Sequence, residues 1–184
     1  MKPASASHEQ FERLALPLLD ALFNFARWLA HDQTEAEDLV QETFAKALRG
    51  FDSFTPGTDF RAWMFRILRN TFLTSRNGLQ ARLTVPLEAD DEPPATITWE
   101  TPESLALASA SAHELQVAME ALPVAYREVI LLCDVEEMKY QEIADVLSIP
   151  IGTVMSRLAR GRKLLRKTLA GERSFAARGE SDQR

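Results

Sequence analysis

The sequence predicts an all-α protein: two small helical bundles joined by an acidic, proline-containing linker. Three observations carry that expectation. Apolar residues recur at three- and four-residue spacing almost throughout, and no strand-like alternation rises above noise. The helical pattern dissolves once, between Asn77 and about Pro102. There Pro86, Pro93, Pro94 and Pro102 interrupt it and Glu88, Asp90, Asp91, Glu92 and Glu100 make it acidic. The expected division is a first bundle over 8–78, a linker over 79–102, a second bundle over 103–170 and a frayed tail over 171–184.

In the first bundle, Phe11, Leu14, Leu18, Leu22, Ala26 and Leu29 form one apolar stripe, with Pro17 placed to start or kink the helix. Thr34 to Glu37 reads as a capping box with Thr34 as N-cap. The helix it opens turns Leu39, Val40, Thr43, Phe44, Ala47 and Leu48 inward and Glu35, Asp38, Gln41 and Glu42 outward, and Gly50 is a plausible stop. Residues 51–58 contain Pro56-Gly57, turn chemistry. Thr58 or Asp59 can cap a third helix with Phe60, Trp63, Met64, Ile67, Leu68 and Thr71 inward. Arg61, Arg66, Arg69, Asn70 and Arg76 lie largely off that stripe.

Ile97 and Trp99 are out of place in a free linker. Thr101 and Pro102 suit the N-cap and first turn of a helix over 103–121. A second helix runs from Val124 to Cys133, and two further elements, Lys139–Leu147 and Thr153 to about Leu169, flank Ser148 to Gly152. In the first of these Tyr140, Ile143, Ala144 and Leu147 form the apolar stripe. In the second, Val154, Leu158, Gly161 and Leu165 face the core, which leaves Thr153, Ser156, Arg157, Arg160 and Lys163 on the other face. A helix of that size with hydroxyl and guanidinium groups suits the major groove, so the pair reads as a helix-turn-helix.

Composition excludes several classes. No run approaches the roughly 18 apolar residues of a membrane span, and the first ten residues lack a signal-peptide apolar region. Cys133 is the only cysteine, so neither an internal disulfide nor a cysteine zinc site is available, which suits the cytoplasm. It ends the apolar run from Val129 and is expected to be a buried small hydrophobe. No GxGxxG or P-loop run occurs, His8, His31 and His113 are dispersed, and no nucleophile–base pair stands out. No enzyme activity, cofactor, metal or small-molecule substrate is therefore expected. The net charge of −6 hides an asymmetry. Residues 86–150 carry −12 and residues 151–184 carry +6, an acidic middle beside a basic end that favours phosphate.

Tyr140-Gln141-Glu142-Ile143-Ala144 with Pro150 to Arg162 resembles region 4.2 of extracytoplasmic-function (ECF) sigma factors, of the sigma-70 family. Leu122-Pro123 and Tyr126 to Val129 resemble region 4.1. Independently, Ala36 to Phe44 resembles region 2.2, and Phe60 to Asn70 resembles regions 2.3 and 2.4. Two unrelated blocks in the right order make a specific match.

The resemblance implies an alternative sigma factor that binds core RNA polymerase and directs promoter recognition and melting. It assigns Asp38, Gln41 and Glu42 to the polymerase β′ clamp helices and region 4 to the β flap. It places residues 51–58 as the loop that reads the −10 promoter element. Phe54 and Asn70 then hold a flipped-out base, and Arg66, Arg69 and Arg76 are candidates for strand phosphates. Trp63 is expected in the core. Thr153, Ser156, Arg157, Arg160 and Lys163 fall at the −35 element. The family often has a basic or aromatic residue where this chain has Met155 and Ala159, which leaves the −35 sequence unpredicted. An anti-sigma factor is implied by the family alone. The competing reading is a stand-alone helix-turn-helix regulator of duplex DNA, which would have no use for the N-terminal block.

Overall fold

The computed structural model describes residues 4–55, 57–77 and 112–181, and among these every regular element is helical. They are α1 (Ala4–Ala15), α2 (Leu19–Ala30), α3 (Gln33–Gly50), α4 (Phe60–Asn77), α5 (Ala112–Glu120), α6 (Val124–Ile130), α7 (Tyr140–Leu147) and α8 (Ile151–Ser181). The expected linker, including Ile97, Trp99 and the cap at Thr101, lies outside the described residues.

Two compact units divide the described chain. The first takes in α1 to α4 with residues 138–150, and the second takes in α5, α6 and α8.

In the first unit Pro17 breaks the expected continuous stripe. A short 3-10 turn, Leu16–Leu18, separates α1 from α2. On either side of the break Phe11, Ala15, Leu22, Ala26 and Leu29 are buried, while Leu14 is turned out to solvent. His31 closes α2 in the left-handed region at φ 63°. The N-cap of α3 is Asp32, not Thr34, and its side chain accepts from Glu35 N at 2.8 Å. The left-handed His31 leaves Asp32 extended, the backbone an N-cap requires, so Thr34 falls inside the first turn. Asp59 caps α4 as expected, accepting from Arg61 N and Ala62 N at 2.8 and 3.1 Å.

Helices α2, α3 and α4 pack together around Leu22, Phe25, Leu29, Leu39, Val40, Met64, Phe65 and Leu68. Phe25 and Phe65 meet edge to face with ring centres 5.3 Å apart. Phe65 and Phe72 are buried although the single-stripe reading of α4 left them out. Helix α4 packs against α7 as well as α2 and α3, so more than one of its faces is covered. Leu48, expected inward, is exposed at the far end of α3.

In the second unit α8 packs against both α5 and α6. Val129, Ile130, Leu131 and Leu132 are buried, as are Val154, Leu158 and Leu165 from α8. Gly161 is a point of close approach. A methyl group there would lie 3.0 Å from Ile130 Cδ1 and 3.1 Å from Tyr126 Cβ. Helix α6 does not run on as an α-helix to Cys133. Leu131–Val135 is a π-helical turn, closed by Glu136 N donating to Leu131 O at 2.9 Å.

Arg127 is buried between α5 and α6. Its Nε donates to Met119 O at 2.9 Å, and its Nη2 donates to Glu120 O and Leu122 O at 2.8 and 2.7 Å. These carbonyls lie at and just beyond the C-terminal end of α5, where helical partners run out and a cation complements the helix dipole.

Candidate nucleic-acid and polymerase interface

On α3 the alternation that buries Ala36, Leu39, Val40 and Thr43 leaves Asp38, Gln41 and Glu42 exposed. Glu42 Oε1 lies 3.4 Å from Lys46 Nζ and 3.8 Å from Arg49 Nη2. The ridge therefore presents both acidic and basic groups, and exposed pairs of this kind each contribute little to stability.

The chain between α3 and α4 starts as a 3-10 turn, Phe51–Ser53. Phe54 stands at its end, half-buried and ringed by aromatic side chains. It stacks on Phe51 with ring centres 6.2 Å apart and planes 4° from parallel. It meets Phe60 edge-on at 5.2 Å and Trp63 at 5.3 Å. Trp63 is itself half-buried within this cluster, at the margin of the core the sequence assigned it to.

Of the other first-unit site residues, Arg66 and Asn70 are exposed on α4, and Arg69 is half-buried with Nη1 donating to Leu147 O at 3.2 Å. Arg61 lies over the Phe65 ring at 5.6 Å, a cation–π contact. Phe54, Trp63 and Arg66 line one side of a cavity of about 650 Å³, and Glu142, Asp145 and Ile149 line the other. The side chain of Arg76 is outside what is described.

Helix α7 opens with Glu142 Oε2 accepting from Lys139 N at 2.9 Å and closes at Ser148, left-handed at φ 54°. Ile143, Ala144 and Leu147 are buried as the stripe requires, and Val146 joins them. Helix α8 begins at Ile151, two residues before the expected start, and runs past Leu169 to Ser181 with no proline to stop it.

The α8 face opposite the core holds the predicted set. Lys163 is exposed, and Thr153, Ser156, Arg157 and Arg160 are half-exposed. Ser156 Oγ donates to Thr153 O at 3.1 Å. The predicted −35 residues thus share one helix, as do the predicted polymerase contacts.

Cys133 differs from the expected buried hydrophobe. It is half-buried, and Arg162 Nη2 donates to its Sγ at 3.7 Å while Arg162 Nε donates to Asp134 Oδ2 at 3.2 Å. Burial, and then the neighbouring Asp134 carboxylate, push the thiol up from 9.0 to about 11, against the opposing pull of Arg162. Sequence reading also missed Arg127 as a buried cation and Phe11 and Phe51 as members of the loop's aromatic cluster. A buried arginine has no periodic signature apart from its partners. The phenylalanines were visible only as separate apolar residues on different elements.

Comparison with known proteins agrees with both halves. Residues 14–82 match the family model for sigma-70 region 2, and residues 112–165 match that for sigma-70 region 4. The ECF RNA polymerase sigma factor SigE of Mycolicibacterium smegmatis is 36% identical over 174 residues. The match covers 94% of this chain, which spans 66% of that relative's length. EcfG of Rhodopseudomonas palustris, another ECF RNA polymerase sigma factor, is 34% identical over 151 residues, covering 82% of this chain and 78% of the relative.

Among solved structures, the sigma factor RpoE of Bartonella quintana, in complex with the anti-sigma factor NepR, superposes with a TM-score of 0.67 at 32% identity. It covers 88% of this chain and 98% of its own. CnrH, in complex with the cytosolic domain of CnrY, gives 0.65 at 28% identity, over 91% of this chain and 92% of its own. With both sigma-70 regions matched in order and relatives above 30% identity covered over most of their length, the chain belongs to the extracytoplasmic-function sigma factors of the sigma-70 family.

Proposed function

We propose that this chain acts in the cytoplasm as an alternative sigma factor that binds core RNA polymerase and directs promoter recognition and melting, without catalytic chemistry of its own. One observation supports this most directly. A helix with a buried Val154–Leu158–Gly161–Leu165 seam and an outward Thr153, Ser156, Arg157, Arg160 and Lys163 face follows, in the same chain, a bundle matching region 2. A stand-alone regulator would have no use for that bundle.

In this reading Asp38, Gln41 and Glu42 meet the β′ clamp helices, where an exposed acidic-polar ridge can pair with basic groups. Phe54 and Asn70 hold the flipped −10 base, and Arg66, Arg69 and Arg76 take strand phosphates. Stacking and amide hydrogen bonds offset the few kcal/mol that flipping costs. Helices α7 and α8 work as a helix-turn-helix, with α8 at the −35 element and region 4 on the β flap. Residues 8–78 and 103–170 act as separate modules on either side of the 79–102 linker. An anti-sigma factor restrains the chain, by likeness to RpoE of Bartonella quintana, which was solved in complex with one.

The test is reconstitution with core polymerase and sequencing of run-off transcripts. Initiation from a discrete promoter set that core alone ignores is expected. Specific, tight DNA binding by the free chain, unchanged by core, would favour the stand-alone regulator.

A further inference from the structure

Helix α1 has no role in the assignments above. All but its last two residues precede the stretch matched by the region 2 model. Yet Phe11 is 4% exposed and sits at the base of the aromatic cluster under the 51–58 loop. Its ring meets those of Phe44, Phe51 and Phe60 edge-on, with centres 6.3, 5.4 and 6.3 Å apart. Phe51 in turn carries the stacked Phe54, and Ser7 Oγ of α1 donates to Asp52 Oδ1 at 3.4 Å.

Apart from the Ser7–Asp52 bond, the hydrogen bonds of the loop's described residues are local. Phe54 N donates to Phe51 O at 3.0 Å, Ser53 Oγ to Gly50 O at 2.6 Å, and Thr58 N to Thr55 O at 3.2 Å. Bonds that begin and end within a few residues shape a turn, but they do not fix where it stands on the bundle. That placement falls to ring packing and to the Ser7–Asp52 contact, and α1 supplies one side of both.

We infer that α1 is a positioning element for the promoter-reading loop, with Phe11 holding Phe51 and, through it, Phe54. The link to DNA rests on the proposed role of Phe54; the link to loop order does not.

The experiment uses the full chain and its holoenzyme. Amide hydrogen exchange is measured for Phe11→Ala without DNA. The Phe54 and Thr58 amides are expected to exchange about tenfold faster, while α2, α3 and the Met64–Phe72 stretch of α4 keep their protection. Phe11→Leu, which restores apolar volume, is expected to return exchange to within about threefold of the parent. In holoenzyme, permanganate reactivity of the −10 strand is expected to fall about tenfold for Phe11→Ala, with core affinity within about twofold.

Unchanged loop exchange overturns the inference whatever the promoter does. Loss of protection throughout α2 to α4 would make Phe11 a general core residue and overturns it too. Faster loop exchange with normal melting by both Phe11→Ala and Phe54→Ala would uphold the positioning of the loop and remove the base-capture reading.

Discussion

Gly161 of α8 lies so close to Tyr126 of α6 that a methyl group on the glycine would sit 3.1 Å from the tyrosine Cβ. Ile130 Cδ1, at 3.0 Å, is the end of a flexible side chain and can swing away, but Tyr126 Cβ moves only with its backbone. Alanine for a mid-helix glycine contributes about 1 kcal/mol by propensity, and overpacking costs about 1–3 kcal/mol. Gly161→Ala is therefore expected to lose about 1 kcal/mol net, and Gly161→Val at least about 3 kcal/mol, by urea denaturation. A stabilised Gly161→Ala would show that α6 and α8 can separate freely.

Arg127 is expected to dominate the stability of the second unit. Arg127→Met keeps much of the apolar stem but leaves the carbonyls of Met119, Glu120 and Leu122 without their guanidinium donor. The loss of three charge-assisted hydrogen bonds from a buried guanidinium predicts a loss of about 3 kcal/mol or more. Thermal and urea unfolding check it. Arg127→Lys is expected to recover only part, because one ammonium cannot reproduce the two-nitrogen fork.

Cys133 gives an alkaline signature. Its thiol is raised to about 11 in the fold, above the 9.0 of an ordinary thiol. Below pH 9 both folded and unfolded thiols are protonated, and the contribution to stability is fully present. Between pH 9 and 11 the unfolded chain releases its proton first, so that contribution drains away as pH rises. Cys133→Ala is expected to lose less stability than the parent between pH 8 and 10.5, read by denaturation at each pH. Iodoacetamide is expected to modify Cys133 slowly at pH 7.5. Fast alkylation there would show that the thiol is not so shifted.

The recognition face is tested one side chain at a time. Within the holoenzyme, Arg160→Ala is expected to cost about 1–3 kcal/mol on the preferred −35 sequence if it reads a base, and to relax preference at one position. Lys163→Ala, at an exposed position, is expected to weaken all sequences alike and to flatten the salt dependence. Electrophoretic shifts with randomised −35 duplexes at two salt concentrations separate the two.

Charge reversal tests the α3 ridge. Asp38→Lys and Glu42→Lys are expected to weaken core binding by tenfold or more together, with little change in unfolding temperature, because both side chains are exposed. Equal affinity for core would move the polymerase contact elsewhere on the bundle.

Helix existence was legible wherever one face is buried, because the apolar period then states which residues turn inward. Val154, Leu158, Gly161 and Leu165 were all read correctly on that basis. The reading failed where that premise fails. Helix α4 is covered on more than one face, so the single stripe missed Phe65 and Phe72. The cap at Asp32 depended on the left-handed turn at His31, which no local composition announces. The outward residues of α3 and α8 were legible as the complement of buried stripes. The aromatic cluster beneath Phe54 was not, because Phe11, Phe51 and Phe60 belong to three different elements brought together only by folding.

The π turn over Leu131–Val135 sets how this stretch tolerates length changes. Such a turn holds one residue more than the α-helical ladder would, so deleting a single residue there gives the backbone a regular alternative to adopt. Residues beyond the turn would keep their direction about the axis, and only those within it would be re-aimed. Asp134 would leave Arg162, and Cys133 would point elsewhere. Among homologues aligned through this stretch, one-residue gaps should therefore concentrate here, and lineages that carry the gap should also lack the Asp–Arg pair.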